Sequence, residues 1–365
     1  MQPGVTVLMT VYNGRAYLKT AIERVLAQSF RDFEFLIIDD CSSDDSVDII
    51  RSFSDERIVL YRNKANIGQT KSLNIGLRMA RGEFIARMDA DDFAYEEWLQ
   101  EQLSNIRSRG KEYVLCSSRA MIVDTENKVH KILNTPGSFE QIVVTSLWAS
   151  PVNHVGVLMR RQAVLDQGGY DEDFRIAADY ALWSKLLRNG FILAVTPRPL
   201  VAIRSHARSV TAMAAGKGDI AEVSRIMGEN IAHWTGVQLG EEARQLLWRL
   251  IYNVESLDTQ HMASGYDVFC QVRRGFLARD HFPGAGADKV FMKQARTTFM
   301  KKVFDCIDRR DIPELRDVAR LYTDRHGLAN LFVLIQAFSY VPYVLLCLPV
   351  LYLRYRKWTT CRRAG

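Results

Sequence analysis

The sequence predicts an α/β fold, a mostly parallel sheet with helices on both faces. Three observations carry that expectation. Short apolar, β-branched runs recur between residues 5 and 89 and read as buried strands. The stretches between them place apolar residues at helical spacing, giving a strand–helix alternation. Each of the main runs also stops at polar or acidic residues, where ligands of such sheets bind.

Taken in order, "VTVLMTVY" (5–12) is the first strand, and Asn13-Gly14 supply a turn and a possible helix N-cap. In "RAYLKTAIERVLAQSF", Leu18, Ala21, Ile22, Val25 and Leu26 share one helical face. "FEFLIIDD" (33–40) is a second strand with an acidic end. "SSDDSVDIIRSF" is a helix capped by Ser or Asp. "RIVLYRN" (57–63) is a third strand, "NIGQTKSLNIGLRMARG" (66–82) a loop entering a helix, and "EFIARMD" (83–89) a fourth strand. Thr10–Asn13, Asp39–Asp40 and Asp89–Asp92 therefore all lie just past strand ends and are expected to converge on one crevice. After about residue 110 the pattern changes. "YVLCSSRAMIVD" (113–124) is a strand with "KVHKILN" pairing nearby, "NHVGVLMRRQAV" (153–164) is strand then helix, "DYALWSKLLRNG" a helix ended by Gly190, and "FILAVTPRPLVAIRSH" is extended. From about 209 to 326 the chain is charge-rich and mostly helical in pattern, with no motif for chemistry.

A chain of 365 residues holds one large domain or two modest ones, and 48% hydrophobic content suffices for a sizeable core. The net charge of +6 suits phosphate-bearing ligands or an anionic membrane surface without choosing between them. The six cysteines form no CxxC pair, which argues against a zinc site or a disulfide framework and for reduced thiols. The N-terminus enters "GVTVLMTVYNG" with no charged leader, so no signal peptide is expected.

Asp89-Ala90-Asp91-Asp92 gathers three carboxylates within four positions of a basic chain. Such a cluster is either a solvated turn or helix cap, or a hard-cation site in which carboxylates at i and i+2 share a divalent metal that also holds phosphate oxygens. The context distinguishes these. "VTVLMTVYNG", "AQSFRDFEFLIIDDCSSDDS" and "NIGQTKSLNIGLRMARGEFIARMDADD", in this order and spacing, resemble glycosyltransferase family 2, enzymes of the GT-A fold, and the last piece looks like that family's DxD motif.

The resemblance implies a nucleotide-sugar donor, with Mn²⁺ or Mg²⁺ as cofactor. Thr10 and Tyr12 would flank the base and Asp40 would hydrogen-bond its imide. Asn66, Gly68, Lys71 and Asn74 match the next element, in which a lysine meets ribose or diphosphate as a point charge. Asp89 would contact ribose or metal, Asp91 would ligate the metal, and Asp92 would orient its neighbours or the donor sugar. Packing for Tyr12, a helix cap for Asp40 and plain solvation for Lys71 are the alternative readings.

"GGYDEDFRIAADYALWSKLLRNG" (168–190) resembles the family's acceptor-side element. The usual Glu-Asp pair reads Ala178-Asp179, so the first acid is missing. The resemblance makes Asp179 the general base, with Asp171 and Asp173 as fallbacks. A positioned carboxylate is what a single displacement at an anomeric carbon needs, because the attacking hydroxyl must lose its proton. "VAIRSHARSVT" (201–211) resembles an Arg-x-His element, from which His206 would complete the metal or diphosphate site. His154 sits where relatives often carry an acceptor-side histidine. The Q-x-x-R-W-like motif of processive members is absent, so a single sugar addition is expected.

Residues 328–353 carry no charge, are interrupted by Pro342 and Pro349, and precede the basic "RYRKWTTCRRAG". A re-entrant or interfacial hairpin fits the positive charge on both sides better than one span. A buried helix pair or a dimer contact is the alternative. The expected organisation is a donor half (1–110), an acceptor half (111–210), a helical region (211–326) and a hydrophobic membrane-associated end (327–365). The expected protein is an inverting, metal-dependent glycosyltransferase at the cytoplasmic face of the cell membrane, moving one sugar from a nucleotide-sugar, expected to be a UDP-sugar, to a saccharide or lipid-linked saccharide acceptor in surface-polysaccharide synthesis, with no nucleic-acid partner. A non-catalytic nucleotide-sugar-binding scaffold is the rival. A sugar-phosphate nucleotidyltransferase would need a Gly-rich basic loop after the first strand, which "TVYNGRAYL" is not.

Overall fold

The computed structural model describes residues 3–133, 135–206, 219–252, 259–279 and 290–291. Strand β1 (Val5–Val11) and strand β2 (Phe33–Asp39) are buried at every position. Burial on both faces is why their sequences run apolar without alternating. β1 pairs in parallel with β2 on one side and with β4 (Phe84–Asp89) on the other, and β3 (Ile58–Arg62) pairs in parallel with β2. The chain thus moves outward from β1 to β3 and then returns to the opposite side of β1. That reversal opens a crevice between β1 and β4 at their carboxyl ends. The register aligns the ends: Val11 lies opposite Asp39, and Thr10 opposite Asp89.

Helix α1 (Leu18–Leu26) buries Leu18, Ala21, Ile22 and Val25, the face its spacing predicts, with Leu26 packed at the margin. These side chains join Val5, Val7, Met9 and Val11, the odd positions of β1, in one core. The even positions face the other way. Leu8 meets helix α3 (Gln69–Met79), where a Cβ on Gly76 would come 2.2 Å from its Cδ1. The Asn13-Gly14 cap is not formed. Asn13 takes a left-handed backbone conformation (φ 52°), its Oδ1 accepts from the Ser43 N–H, and α1 begins later without a side-chain cap. At helix α2 (Ser46–Arg51) the Asp44 carboxylate accepts from both the N–H and the hydroxyl of Ser46.

Beyond β4 the sheet becomes mixed, which corrects the mostly parallel expectation. With β5 (Phe93–Ala94), β6 (Tyr113–Val123), β7 (Val129–Ile132), β8 (Leu158–Arg160) and β9 (Ile192–Arg204), its order is β3-β2-β1-β4-β8-β6-β9-β5, and β7 pairs with β6. β8 is antiparallel to both β4 and β6, whereas β9 runs parallel to β6. Three elements carried no clear signal: the two-residue strand β5, helix α4 (Trp98–Arg107) and helix α5 (Phe139–Ser146). Helices α6 (Arg161–Asp166) and α7 (Ala178–Arg188) follow, α7 running to Gly190, which is left-handed (φ 83°).

Three further helices are described: α8 (Asp219–Thr235), α9 (Glu241–Tyr252) and α10 (Thr259–Leu277). The chain divides into two compact units. Met1–Arg244 with Gly275–Ala287 form one, and Gln245–Arg274 with Asp288–Gly365 the other. In the second unit Trp248 stacks on Tyr252 and Phe269 meets Phe291 edge-on. Among the described residues no helix is long and apolar enough to cross a membrane. The hydrophobic segment expected at 327–365 lies outside the described residues.

The turn into β4 is tight. Gly82 donates its N–H to Thr6 Oγ1, and a Cβ there would come 2.4 Å from the Thr6 nitrogen and 2.6 Å from the Val5 carbonyl carbon. Backbone cannot step aside as a flexible side chain can. Gly82→Ala is expected to cost about 1–3 kcal/mol, read as a lowered midpoint in urea unfolding. A midpoint equal to wild type would refute this packing.

Candidate active site

The end of β4 delivers Asp89, and the turn after it delivers Asp91 and Asp92. One carboxylate oxygen from each of the three lies within 4.8 Å of the others. Asp89 accepts from Arg87 Nη1 through Oδ2 and from Gln69 Nε2, at 3.2 Å, through Oδ1. Asp92 is buried and accepts from the Arg204 N–H at 2.7 Å. Asp91 is partly exposed, and His206 Nε2 lies 2.9 Å from its Oδ2.

The contact between Asp91 and His206 spans 115 residues, and strand β5 makes it possible. Phe93 and Ala94 pair antiparallel with Ala202 and Val201, which brings the end of β9 back over the acidic turn. Arg204 then locks the junction. Its Nε donates to the Asp91 carbonyl at 3.0 Å and its Nη1 to the carbonyls of Asp124 and Thr125, while its guanidinium lies over the Tyr17 ring at 4.5 Å. His206 rests against the same ring, 5.2 Å between centroids.

Beneath the carboxylates lies Arg87, 2% exposed. Burial by itself would lower the guanidinium's pKa, but the charge and hydrogen bond of Asp89, together with Tyr170 and Asp92, outweigh this and hold it ionised. Burial pushes Asp89 above the usual carboxylate range against the pull of Arg87, and the Asp91 charge adds to the rise. Burial, and then the charges of Asp89 and Asp91, push Asp92 well above that range. This set of oxygens suits a hard divalent cation such as Mg²⁺ or Mn²⁺, whose charge would relieve their mutual repulsion.

On the acceptor side, Asp179 stands in the first turn of α7, and Ser150 Oγ donates to its Oδ2 at 3.3 Å. Burial raises its pKa, opposed by the Tyr180 N–H and then by the charge of Arg87. The same guanidinium acts on His154 and Tyr170. Arg87 therefore links the acidic cluster electrostatically to the acceptor side.

Not every expected residue faces the crevice. Thr10 is nearly buried at the end of β1, while Tyr12 is 53% exposed beside it. Lys71 is exposed in the first turn of α3. Asp40 is 3% exposed, and its carboxylate accepts from Asn63 Nδ2 and from the N–H groups of Ile67 and Gly68. Its groups are thus committed to shaping the loop in which Gly68 turns left-handed (φ 90°). Asn74 is bonded to both backbone groups of Tyr170 and to Glu172. His154 bonds the Tyr170 hydroxyl at 2.8 Å and lies edge-on to Trp183. Burial, and then Arg87, hold its imidazole neutral. Asp171 and Asp173 are exposed. The functional reading of the sequence passed over Arg87, although an arginine in a strand buried on both faces is itself a signal for a buried anion.

The fold and site define a class: an α/β protein with an acidic, cation-suited crevice at the switch point of a nucleotide-binding type of sheet. Comparison with known proteins sharpens this. Residues 6–169 match the model of glycosyl transferase family 2. EpsE of Bacillus subtilis, a glycosyltransferase by name, is 30% identical over 194 residues, covering 52% of this chain and 68% of EpsE. WfaP of Escherichia coli, named as a UDP-Glc:α-D-GlcNAc-diphosphoundecaprenol β-1,3-glucosyltransferase, is 27% identical over 219 residues, covering 57% of this chain and 80% of WfaP. The mannosyltransferase PcManGT of Pyrobaculum calidifontis, solved with GDP-Man and Mn²⁺, superposes with a TM-score of 0.52 at 15% identity, over 89% of each chain. The chain belongs to glycosyltransferase family 2 and has the GT-A fold. Asp179, α7 and His206 lie beyond the matched segment.

Removing Arg87 would leave the buried Asp92 and the half-buried Asp89 uncompensated. Arg87→Met is expected to destabilise the protein by about 3–5 kcal/mol, whereas Lys71→Ala, at the exposed start of α3, should leave the urea midpoint unchanged. Equal midpoints for the two variants would contradict the charge balance described above.

Proposed function

We propose that this glycosyltransferase moves one sugar, with inversion, from a UDP-sugar to a hydroxyl of a glycan or lipid-linked saccharide. The observation that carries this reading is one crevice in which a three-carboxylate cation site and a separate, half-buried carboxylate, Asp179, share a single guanidinium. UDP is preferred over GDP because WfaP, whose name specifies UDP-Glc, is the nearer relative in sequence. Its named acceptor supports a lipid-linked saccharide for this chain too.

Asp89, Asp91 and Asp92 would hold Mn²⁺ or Mg²⁺, with His206 fixing the Asp91 carboxylate. A divalent cation bound there supplies charge to the leaving diphosphate. The exposed Tyr12 ring offers a face for the base, and the loop shaped by Asp40 offers backbone toward ribose. Asp179 takes the proton of the acceptor hydroxyl as its oxygen bonds to the anomeric carbon. The bond from that carbon to the diphosphate oxygen breaks, and UDP leaves with the electron pair.

The enzyme is assigned to the cytoplasmic face of the cell membrane, since its donor is cytosolic and residues 328–353 with the basic tail suit an interface. The full chain should sediment with membranes and a chain ending at residue 326 should not. Co-sedimentation of both would refute the anchor.

The test of the reaction is UDP release from UDP-Glc and UDP-GlcNAc, with GDP-Man as control, in detergent with GlcNAc-diphosphoundecaprenol as acceptor. Asp91→Ala and EDTA should each reduce release about a hundredfold or more. Asp179→Asn should do the same while UDP–Mn²⁺ still binds, because a general base contributes about 10²–10⁴. Binding without turnover in the wild type would favour the scaffold reading that Ala178 suggests. The base works unprotonated and its pKa is raised by burial, so activity is lost as pH falls through that value. The acidic limb of kcat/KM should then lie above the ordinary aspartate value of about 3.9. A limb at or below it would exclude Asp179.

A further inference from the structure

The segment between Tyr170 and Ala177, directly before Asp179, is held from two sides. From α3, Asn74 bonds the N–H and carbonyl of Tyr170 and the Glu172 carboxylate, and Thr70 Oγ1 donates to the Phe174 carbonyl at 3.1 Å. From α8, Glu222 accepts three consecutive backbone N–H groups, those of Arg175, Ile176 and Ala177, at 2.9, 3.0 and 2.9 Å. Arg225, one turn further along α8, lies over the Phe174 ring at 4.9 Å.

These three N–H groups lead straight into α7. Glu222 thus supplies a carboxylate at the entrance of the helix whose first turn bears Asp179, where the chain itself has Ala178. The rest of α8 runs along α7. Asn230 Nδ2 bonds Ser184 Oγ at 2.8 Å, and Glu229 pairs with Arg188 at 3.0 Å. Among the described residues of α8, Glu222 is the one that bonds the backbone of residues 175–177.

We propose that Glu222, far outside the matched family segment, is a positioning residue for transfer: its carboxylate fixes residues 175–177 and so sets Asp179 against the acceptor hydroxyl. The inference rests on Asp179 being the base. It also gives α8 a part in positioning the base, since Glu222 ties the helix to the backbone that leads into Asp179. A carboxylate suits the task because two oxygens accept three N–H groups. Gln keeps a single carbonyl oxygen, and its NH₂ meets N–H groups as donor against donor.

The test compares wild type, Glu222→Ala, Glu222→Gln, Glu229→Gln and Asp179→Asn as full chains in detergent. Each is assayed well below its melting midpoint with the UDP-sugar and GlcNAc-diphosphoundecaprenol, and kcat is expressed per folded molecule. UDP–Mn²⁺ affinity is measured separately by calorimetry. Misplacement of a reacting group by about an ångström costs up to about a hundredfold. Glu222→Ala is therefore expected to lower kcat by roughly ten- to a hundredfold, Glu222→Gln to fall between it and wild type, and UDP–Mn²⁺ affinity to stay within about twofold in both. Glu229→Gln, which loosens the same helix pair away from residues 175–177, should keep wild-type kcat. If Glu222→Ala fails to fold, the Gln variant carries the test. A kcat per folded molecule equal to wild type in the Glu222 variants, or one no lower than in Glu229→Gln, would overturn the proposal while leaving the base intact. Wild-type turnover by Asp179→Asn would instead overturn the reading of the base.

Discussion

Arg87 lies within β4 with its guanidinium sealed from water, and the site is arranged around its charge. A lone cation in such a place would be prohibitively costly. Asp89, two residues on and on the same side of the strand, answers it directly. Asp92 and Asp179 lie within reach of its field. Without this cation the crevice would hold carboxylates on both its donor and its acceptor side with no fixed positive charge buried between them. With it, the carboxylates remain close, and Asp91 is the most open of the three in the acidic turn.

The second constraint is the return of β9. Two residues of β5 pair with Val201 and Ala202, and that small ladder carries Arg204 and His206 to the acidic turn. Arg204 bonds the backbone of three residues through its guanidinium, so it functions as a brace for the turn and for strand β6 together. His206 is then held to Asp91 against the face of Tyr17.

A third connection runs from donor loop to base. Asp40 shapes the loop at Gly68, where α3 begins, and α3 grips Tyr170 and Phe174 through Asn74 and Thr70. The chain then passes Glu222 and enters α7. Each link is a hydrogen bond to backbone, which transmits position more faithfully than contact between mobile side chains.

The four parallel strands, their helices and the convergence of Asp39–Asp40 with Asp89–Asp92 were legible in the sequence, because burial on both faces writes itself into a local apolar pattern and the ends of parallel strands must align. The acidic turn and Asp179 were legible as motifs. What was not legible is every relation that depends on distant pairing. A two-residue strand has no periodicity to read, so β5 and the approach of His206 to Asp91 had to come from the assembled sheet. The same sheet decided that β8 runs antiparallel to β4 and β6, a direction that its three residues do not encode. Asp40 and Asn74 carry side chains suited equally to a ligand and to backbone, and only the neighbouring loops assigned them to backbone. Glu222 lies in a charge-rich helix with no motif. Its bond to residues 175–177 exists because α8 packs along α7, a long-range contact that no local pattern encodes. The sequence by itself determined the family, the strands and the acidic residues, since those follow from local burial and residue type. The tertiary structure alone decided which charges meet, since that follows from pairing between segments far apart in the chain.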